Sequence, residues 1–197
     1  HFDDESEPIN GYRMLRDLWS LLDPDSTMIT HESGASRDIQ SVFYESTVPR
    51  SYLGWGQSSQ LGFSLGLALG AKLANPDKTV VNVMGDGAVG YTGLDWETAV
   101  RENIPILTVI KHDSIFSGYD KHIPTAIEKY KFSSLGGDYA GVAAALGCHA
   151  EKVVRIGELR PAFERALQAV REGQPAVVDV VTAETRELSQ DPTARYE

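Results

Sequence analysis

The sequence predicts an α/β fold: a doubly wound, mainly parallel sheet with helices on both faces. Three observations predict it. Short apolar runs of strand length recur along the chain, and helical patterns lie between most of them. One run ends directly in Gly85, Asp86 and Gly87, a glycine-flanked carboxylate at a strand end, where open α/β sheets bind ligands.

In chain order, the first eight residues, HFDDESEP, read as an acidic leader, followed by one domain over 9–185 and a polar tail over 186–197. Asn10 to Leu22 reads as a helix: Met14, Leu15, Leu18, Leu21 and Leu22 recur at helical spacing, and Asp23 and Pro24 stop it. Strands are expected at Thr27 to Thr30, Thr79 to Met84, Ile106 to Ile110 and Ala176 to Val181. A helix expected from Ser58 to Leu73 carries Gly62, Gly66 and Gly70 four residues apart, which clears one face for close approach of another backbone. Asp95 to Glu102 follows as a helix after Gly93, and Ile104 and Pro105 push the chain on into the next strand. Glu158 to Glu172 is amphipathic, with Leu159, Phe163, Leu167 and Val170 on one side and Gly173 as its cap.

Composition narrows the function. The formal net charge of −10, without local basic clusters, argues against nucleic acid as the main partner. One cysteine, Cys148, forms no internal disulfide, and the start of the chain lacks the basic and apolar pattern of a secretory signal. The most apolar stretch, Leu61 to Ala74, is shorter than the roughly 20 residues of a membrane span. A cytoplasmic protein with no membrane contact is the expectation.

The informative stretch is VVNVMGDGAVGYTGLDWETAVRENIPILTVIKHDSIFSGYD. After Asp86, one helix and one further strand deliver a second carboxylate, Asp113, with 26 residues between the two. Neighbouring parallel strands would bring both to one end of the sheet. Two hard oxygen ligands and a nearby main-chain carbonyl, with positions left for phosphate oxygens, are what magnesium prefers. The amides of Gly87 and Ala88 would donate to those phosphates. Asp86 in an ordinary turn, or Asp113 capping one, are the plainer alternatives.

This stretch resembles the thiamine-diphosphate-binding motif of the acetolactate synthase and decarboxylase superfamily. The likeness runs from Gly85, Asp86 and Gly87 through Thr98 to Arg101 to Ile104, Pro105 and the strand ending in a metal ligand. Leu69 to Pro76 and Gln174 to Val180 are similar to flanking segments of those enzymes, so the resemblance covers roughly residues 8 to 185. It implies a thiamine-diphosphate-binding fold with thiamine diphosphate and Mg2+ as cofactors. Asp86 and Asp113 would bind the metal through their side chains and Ile115 through its carbonyl. Gly85, Gly87 and Ala88, with Gly34, Ala35 and Ser36, would lie against the diphosphate. Leu61 would prop the thiamine in its bent shape, and the Ser59 carbonyl would face the aminopyrimidine.

The chain departs from the family where His112 and Asp113 replace two consecutive asparagines. A second acidic ligand beside two phosphates implies steep metal dependence. In the family, the glutamate that activates the pyrimidine belongs to a separate pyrimidine-binding domain, and nothing here corresponds to it. The acidic leader and polar tail read as natural ends, favouring a split enzyme, a hetero-oligomer with a pyrimidine-binding subunit, over a fragment. The implied reaction is decarboxylation or carboligation of a small 2-oxo acid. A 2-oxoacid oxidoreductase β-type subunit, which expects iron-sulfur ligands, and a catalytically silent regulatory subunit are the alternatives.

Other residues read more weakly. His122 follows the metal ligand in a loop that would lie over the thiazolium, where it would handle protons as a catalytic residue or be an exposed loop histidine. His31 and Glu32 stand at a strand end, where a substrate contact and a turn role both fit. His112 is expected to orient the metal loop, and Arg37 to meet a substrate anion or a surface carboxylate. Cys148 and His149 read as structural.

Overall fold

The computed structural model describes residues 2–55, 60–116 and 123–185. Six strands form one sheet among these residues: β1 Thr27–His31, β2 Tyr52–Leu53, β3 Thr79–Gly85, β4 Leu107–His112, β5 His149–Val153 and β6 Ala176–Val181. Their order is β2-β1-β3-β4-β6-β5, and every pairing is parallel. From β1 the chain steps outward to β2, then returns to lay β3 on the other side of β1. The order therefore reverses between β1 and β3, which opens a crevice at their carboxyl ends.

The helices are α1 Gly11–Trp19, α2 Ala35–Phe43, α3 Phe63–Ala74, α4 Asp86–Thr92, α5 Trp96–Arg101, α6 Pro124–Tyr130, α7 Tyr139–Ala145 and α8 Ile156–Arg171. Side chains alternate across each strand, so the sheet separates two cores. Met14, Leu15, Leu18, Ile39, Phe163 and Leu167 of α1, α2 and α8 pack on Val81, Val83, Val109 and Val178. Leu65, Ala68, Val89, Trp96 and Ala99 of α3, α4 and α5 pack on Val80, Met84, Ile110 and Val177. Each large apolar side chain buried in this way stabilises the fold by roughly 1.5–3 kcal/mol. Among the described residues no helix is long and apolar enough to cross a membrane.

The four expected strands are present, with ends that shift by one or two residues. β2 is too short to show in a pattern, and β5, an edge strand reading HAEKV, is largely polar. The first helix is shorter than its apolar spacing: Asn10 stands outside it as the N-cap, its side chain accepting from the Tyr12 N–H, and the helix stops at Trp19. α3 starts at Phe63 because Gly62 holds φ at 95°. A 3-10 turn, Gly93–Asp95, precedes α5. α8 and its Gly173 cap, with φ of 93°, follow the amphipathic pattern. α4 was hidden by its composition, since DGAVGYT contains two glycines, poor helix formers.

The glycines of α3 divide by role. Among the described residues a Cβ added at Gly66 or Gly70 would meet nothing within 4 Å, so the close backbone approach expected from the spacing is not made at that face within the chain. A Cβ at Gly62 would lie 2.8 Å from the Tyr91 Cβ, which binds the start of α3 to α4. Gly62→Ala is therefore expected to lower stability by about 1–3 kcal/mol through positive φ and this clash. Gly157→Ala, in α8 with open space around it, is expected to be neutral or slightly stabilising. Chemical denaturation of both variants checks the contrast, and equal destabilisation would contradict it.

Candidate cofactor and metal site

Three strand ends and the segments following them build the site. Beyond β1, Glu32 and Ser33 lead into Gly34, whose φ of 76° turns the chain into α2 at Ala35. β3 ends at Gly85 and passes without a loop into α4, so Asp86 is the first residue of that helix. β4 ends at His112, and Ser114, at φ 59°, turns the chain away. The register pairs Gly85 with Lys111, which places Asp86 and Asp113 at the same edge of the sheet.

A cavity of about 130 Å³ lies among these ends. Of the residues singled out in the sequence, Gly34, Ala35, Ser36, Leu61, Gly85, Asp86, Gly87, Ala88, Asp113 and Ile115 all line it. Ser59 and His122 lie outside the described residues. A larger cavity, about 470 Å³, opens among Lys72, Lys78, Pro105 and Arg171 at the opposite ends of the strands, away from the paired carboxylates.

Asp86 is 3% exposed. Its Oδ1 accepts from the Gly87 N–H and its Oδ2 from the Ser114 N–H, both at 2.8 Å, so one carboxylate ties the first turn of α4 to the loop after β4. Burial, with the Asp113 charge adding to it, pushes the Asp86 carboxyl up to about 6, against the pull of those N–H groups and of His112. Removal from water and a like charge nearby are conditions that a bound cation relieves.

The loop after β4 is fastened by the Phe116 N–H donating to Ser133 O at 2.8 Å and the Leu135 N–H donating to Ser114 O at 2.9 Å. The Ile115 carbonyl accepts none of the backbone hydrogen bonds found among the described loops and turns. Gly87 is required by this loop, because a Cβ there would lie 2.6 Å from the Phe116 ring.

β4 sends two polar side chains to opposite faces. Lys111, 2% exposed, extends toward α1 and α2 and places its Nζ 2.5 Å from Asp113 Oδ2. His112 faces the other core, its Nδ1 2.8 Å from Asp179 Oδ1, its Nε2 3.9 Å from Asp86 Oδ2, and its ring edge-on to Tyr139. The Asp179 hydrogen bond raises the His112 pKa, opposed by burial. His112 thus stands between Asp179 on β6 and Asp86 at the start of α4.

Glu32 does not face the cavity as a substrate group. It is fully buried, and its carboxylate accepts from the N–H groups of Gly62 at 3.0 Å and Ser64 at 2.9 Å and from the Ser64 hydroxyl at 2.6 Å. It therefore caps α3 and pins the backbone beside Leu61 to β1. His31 lies between Tyr52 and Phe63, its Nδ1 3.0 Å from the Glu32 carbonyl, and burial depresses its pKa. Arg37 is held by Asp38 at 2.8 Å in a largely buried pair. Cys148 is buried, with its thiol pushed up to about 11, and His149 pairs with Glu151.

Among the described residues no group of three or more His, Cys, Asp and Glu side chains is placed to hold a metal. The donor set here is instead two carboxylates and a main-chain carbonyl beside N–H groups. That set suits a hard cation that keeps part of its shell for phosphate oxygens.

The family profile described as "Thiamine pyrophosphate enzyme, C-terminal TPP binding domain" matches residues 32–180. The chain belongs to that family. It is a thiamine-diphosphate-binding domain of the kind found in thiamine-diphosphate-dependent enzymes, and thiamine diphosphate is its cofactor.

The large subunit of acetolactate synthase IlvG from Mycobacterium tuberculosis is 36% identical over 196 residues, covering 98% of this chain and 34% of that protein. The 2-hydroxyacyl-CoA lyase of Saccharomyces cerevisiae is 29% identical over 179 residues, 88% of this chain and 31% of that protein. The chain thus spans about a third of the length of these relatives. Benzoylformate decarboxylase from Polynucleobacter necessarius superposes with a TM-score of 0.78 at 22% identity, over 94% of this chain and 35% of that one, a likeness of fold. The 4-hydroxybenzoylformate decarboxylase of Rhodococcus jostii gives 0.77 at 26% identity, over 89% of this chain and 33% of that one.

Within this cofactor-binding domain, reading the sequence missed Lys111, Phe116, Asp179 and the capping role of Glu32. A lysine inside the apolar run ILTVIKH was the available signal, because lysine is almost never fully buried without a partner. Glu32→Ala is expected to destabilise the domain by on the order of 3 kcal/mol, since it leaves two N–H groups and a hydroxyl buried without their acceptor. Cofactor affinity should fall with it as Leu61 loosens. Thermal melting with calorimetric titration checks both, and an unchanged melting point would contradict the capping role.

Proposed function

We propose that this chain is the diphosphate- and magnesium-binding part of a decarboxylase or carboligase acting on a 2-oxo acid. The observation that carries the proposal is the convergence of Asp86, Asp113 and Ile115 on one cavity also lined by Gly87 and Ala88. Asp86 and Asp113 would bind the metal through their carboxylates and Ile115 through its carbonyl. Gly85, Gly87 and Ala88, with Gly34, Ala35 and Ser36, would receive the diphosphate. Leu61, at the start of α3, would support the thiamine from the side. When bound, the cofactor supplies the electron sink for cleavage beside a carbonyl.

The chain's own groups hold and orient. Asp86 locks the α4 turn against the loop after β4, and Lys111 holds Asp113. His112 buttresses that edge from Asp179. Ser59 and His122, assigned to the pyrimidine and to proton handling, complete the proposed set.

The activating glutamate comes, in this reading, from a pyrimidine-binding domain outside these 197 residues, carried by a second subunit in a cytoplasmic hetero-oligomer. The 2-oxoacid oxidoreductase reading gains no support from a single buried cysteine. A silent regulatory subunit would have no use for two carboxylates converging on the cavity.

Asp86→Ala is expected to weaken magnesium-supported thiamine diphosphate binding by roughly two orders of magnitude or more, about 3 kcal/mol, and to abolish cofactor-dependent turnover. Calorimetric titration of the complete enzyme, with its melting curve as a folding control, measures it. Undiminished binding by a folded variant would remove the site assignment.

A further inference from the structure

We propose that Lys111 is a cation built into the diphosphate site: its ammonium holds Asp113 and faces the cavity, so cofactor binding depends less on magnesium than two carboxylates alone would make it. This rests on the cavity being the diphosphate site. Among the described residues lining it, Lys111 is the one cation, set against the carboxylates of Asp86 and Asp113. Arg37, on the adjoining helix, is already engaged with Asp38.

The surroundings of Lys111 show that the fold makes room for it. Its aliphatic stem runs through the core between α1 and α2, where a Cβ on Gly11 would lie 3.2 Å from both Lys111 Cε and Ile39 Cδ1. Gly11, within α1, leaves the space through which the stem passes. An apolar side chain at this position would satisfy the core equally well, as Val109 does two residues earlier on the same face of β4. The ammonium is instead delivered, almost fully buried, to the cavity edge and onto Asp113 Oδ2 at 2.5 Å.

The physical consequence follows from charge. Asp113 adds a negative charge beside a ligand that is itself anionic, and by itself it would make binding without metal unfavourable. Lys111 cancels that charge within the chain, in a setting where water screens little. A lysine acts here as a point charge toward phosphate rather than as a planar fork, so it needs no single fixed geometry to serve both Asp113 and a diphosphate oxygen. The steep metal dependence implied by Asp113 alone is thereby softened.

The test is calorimetric titration of the complete enzyme with thiamine diphosphate, once in saturating Mg2+ and once in EDTA, for the native protein, K111M, K111R and K111M/D113N. The native protein is expected to lose on the order of tenfold in affinity without metal, and K111M roughly a hundredfold or more. K111R should stay near the native ratio. K111M/D113N, with both charges gone and the pair again neutral, should stay near the native ratio. Should K111M fail to fold by circular dichroism, K111Q replaces it. The same ratio in the native protein and in folded K111M or K111Q would show that Lys111 serves only the salt bridge, overturning the proposal. No binding by the native protein even in saturating Mg2+ would instead overturn the diphosphate-site reading beneath it.

Discussion

The parallel pairing of β3 with β4, in the register that sets Gly85 opposite Lys111, is the constraint on which the site depends. It places Asp86 and Asp113 at one edge although 26 residues separate them in sequence. A slip of one residue would turn Lys111 and His112 to the opposite faces. The register is secured from both sides, because Val81, Val83 and Val109 enter one core while Val80, Met84 and Ile110 enter the other. The absence of a loop between β3 and α4 adds to this, since it leaves Asp86 little freedom except to bridge the Gly87 and Ser114 N–H groups.

Charge is organised around that edge in pairs. Where the resembled family has two neutral asparagines, this chain has His112 and Asp113, and each finds a partner: Asp179 on β6 for His112, and Lys111 on β4 for Asp113. The pairs lie on opposite faces of β4, so each is buried among different helices. Asp86 stands between them, hydrogen-bonded to two N–H groups with the His112 ring 3.9 Å away, and its carboxyl is pushed up to about 6 by burial and by Asp113.

Much of this was readable in the residues. β1, β3, β4 and β6 are apolar runs because both of their faces are buried, and the Gly85, Asp86, Gly87 triplet lies at the edge where the cavity opens. What was not readable depends on distance through space. Asp179 meets His112 only because β6 pairs with β4, and Glu32 meets Gly62 and Ser64 only because α3 packs beside β1. Neither contact leaves a local pattern. β5 is an edge strand with polar side chains, and α4 is a helix that tertiary packing imposes on a glycine-containing segment. Gly62 looked like part of an open glycine face, but it is the tight junction between α3 and α4, a distinction that only φ and the Tyr91 contact reveal.

We propose that Asp86 and Asp113 share one metal with the bound cofactor. The most direct test is crystallography of the complete enzyme grown with thiamine diphosphate and manganese in place of magnesium, locating the metal by its anomalous signal. One strong peak is expected within bonding distance of both carboxylates and the Ile115 carbonyl, with the diphosphate completing the shell. A cofactor bound in this cavity with the manganese elsewhere, or held by neither carboxylate, would contradict it.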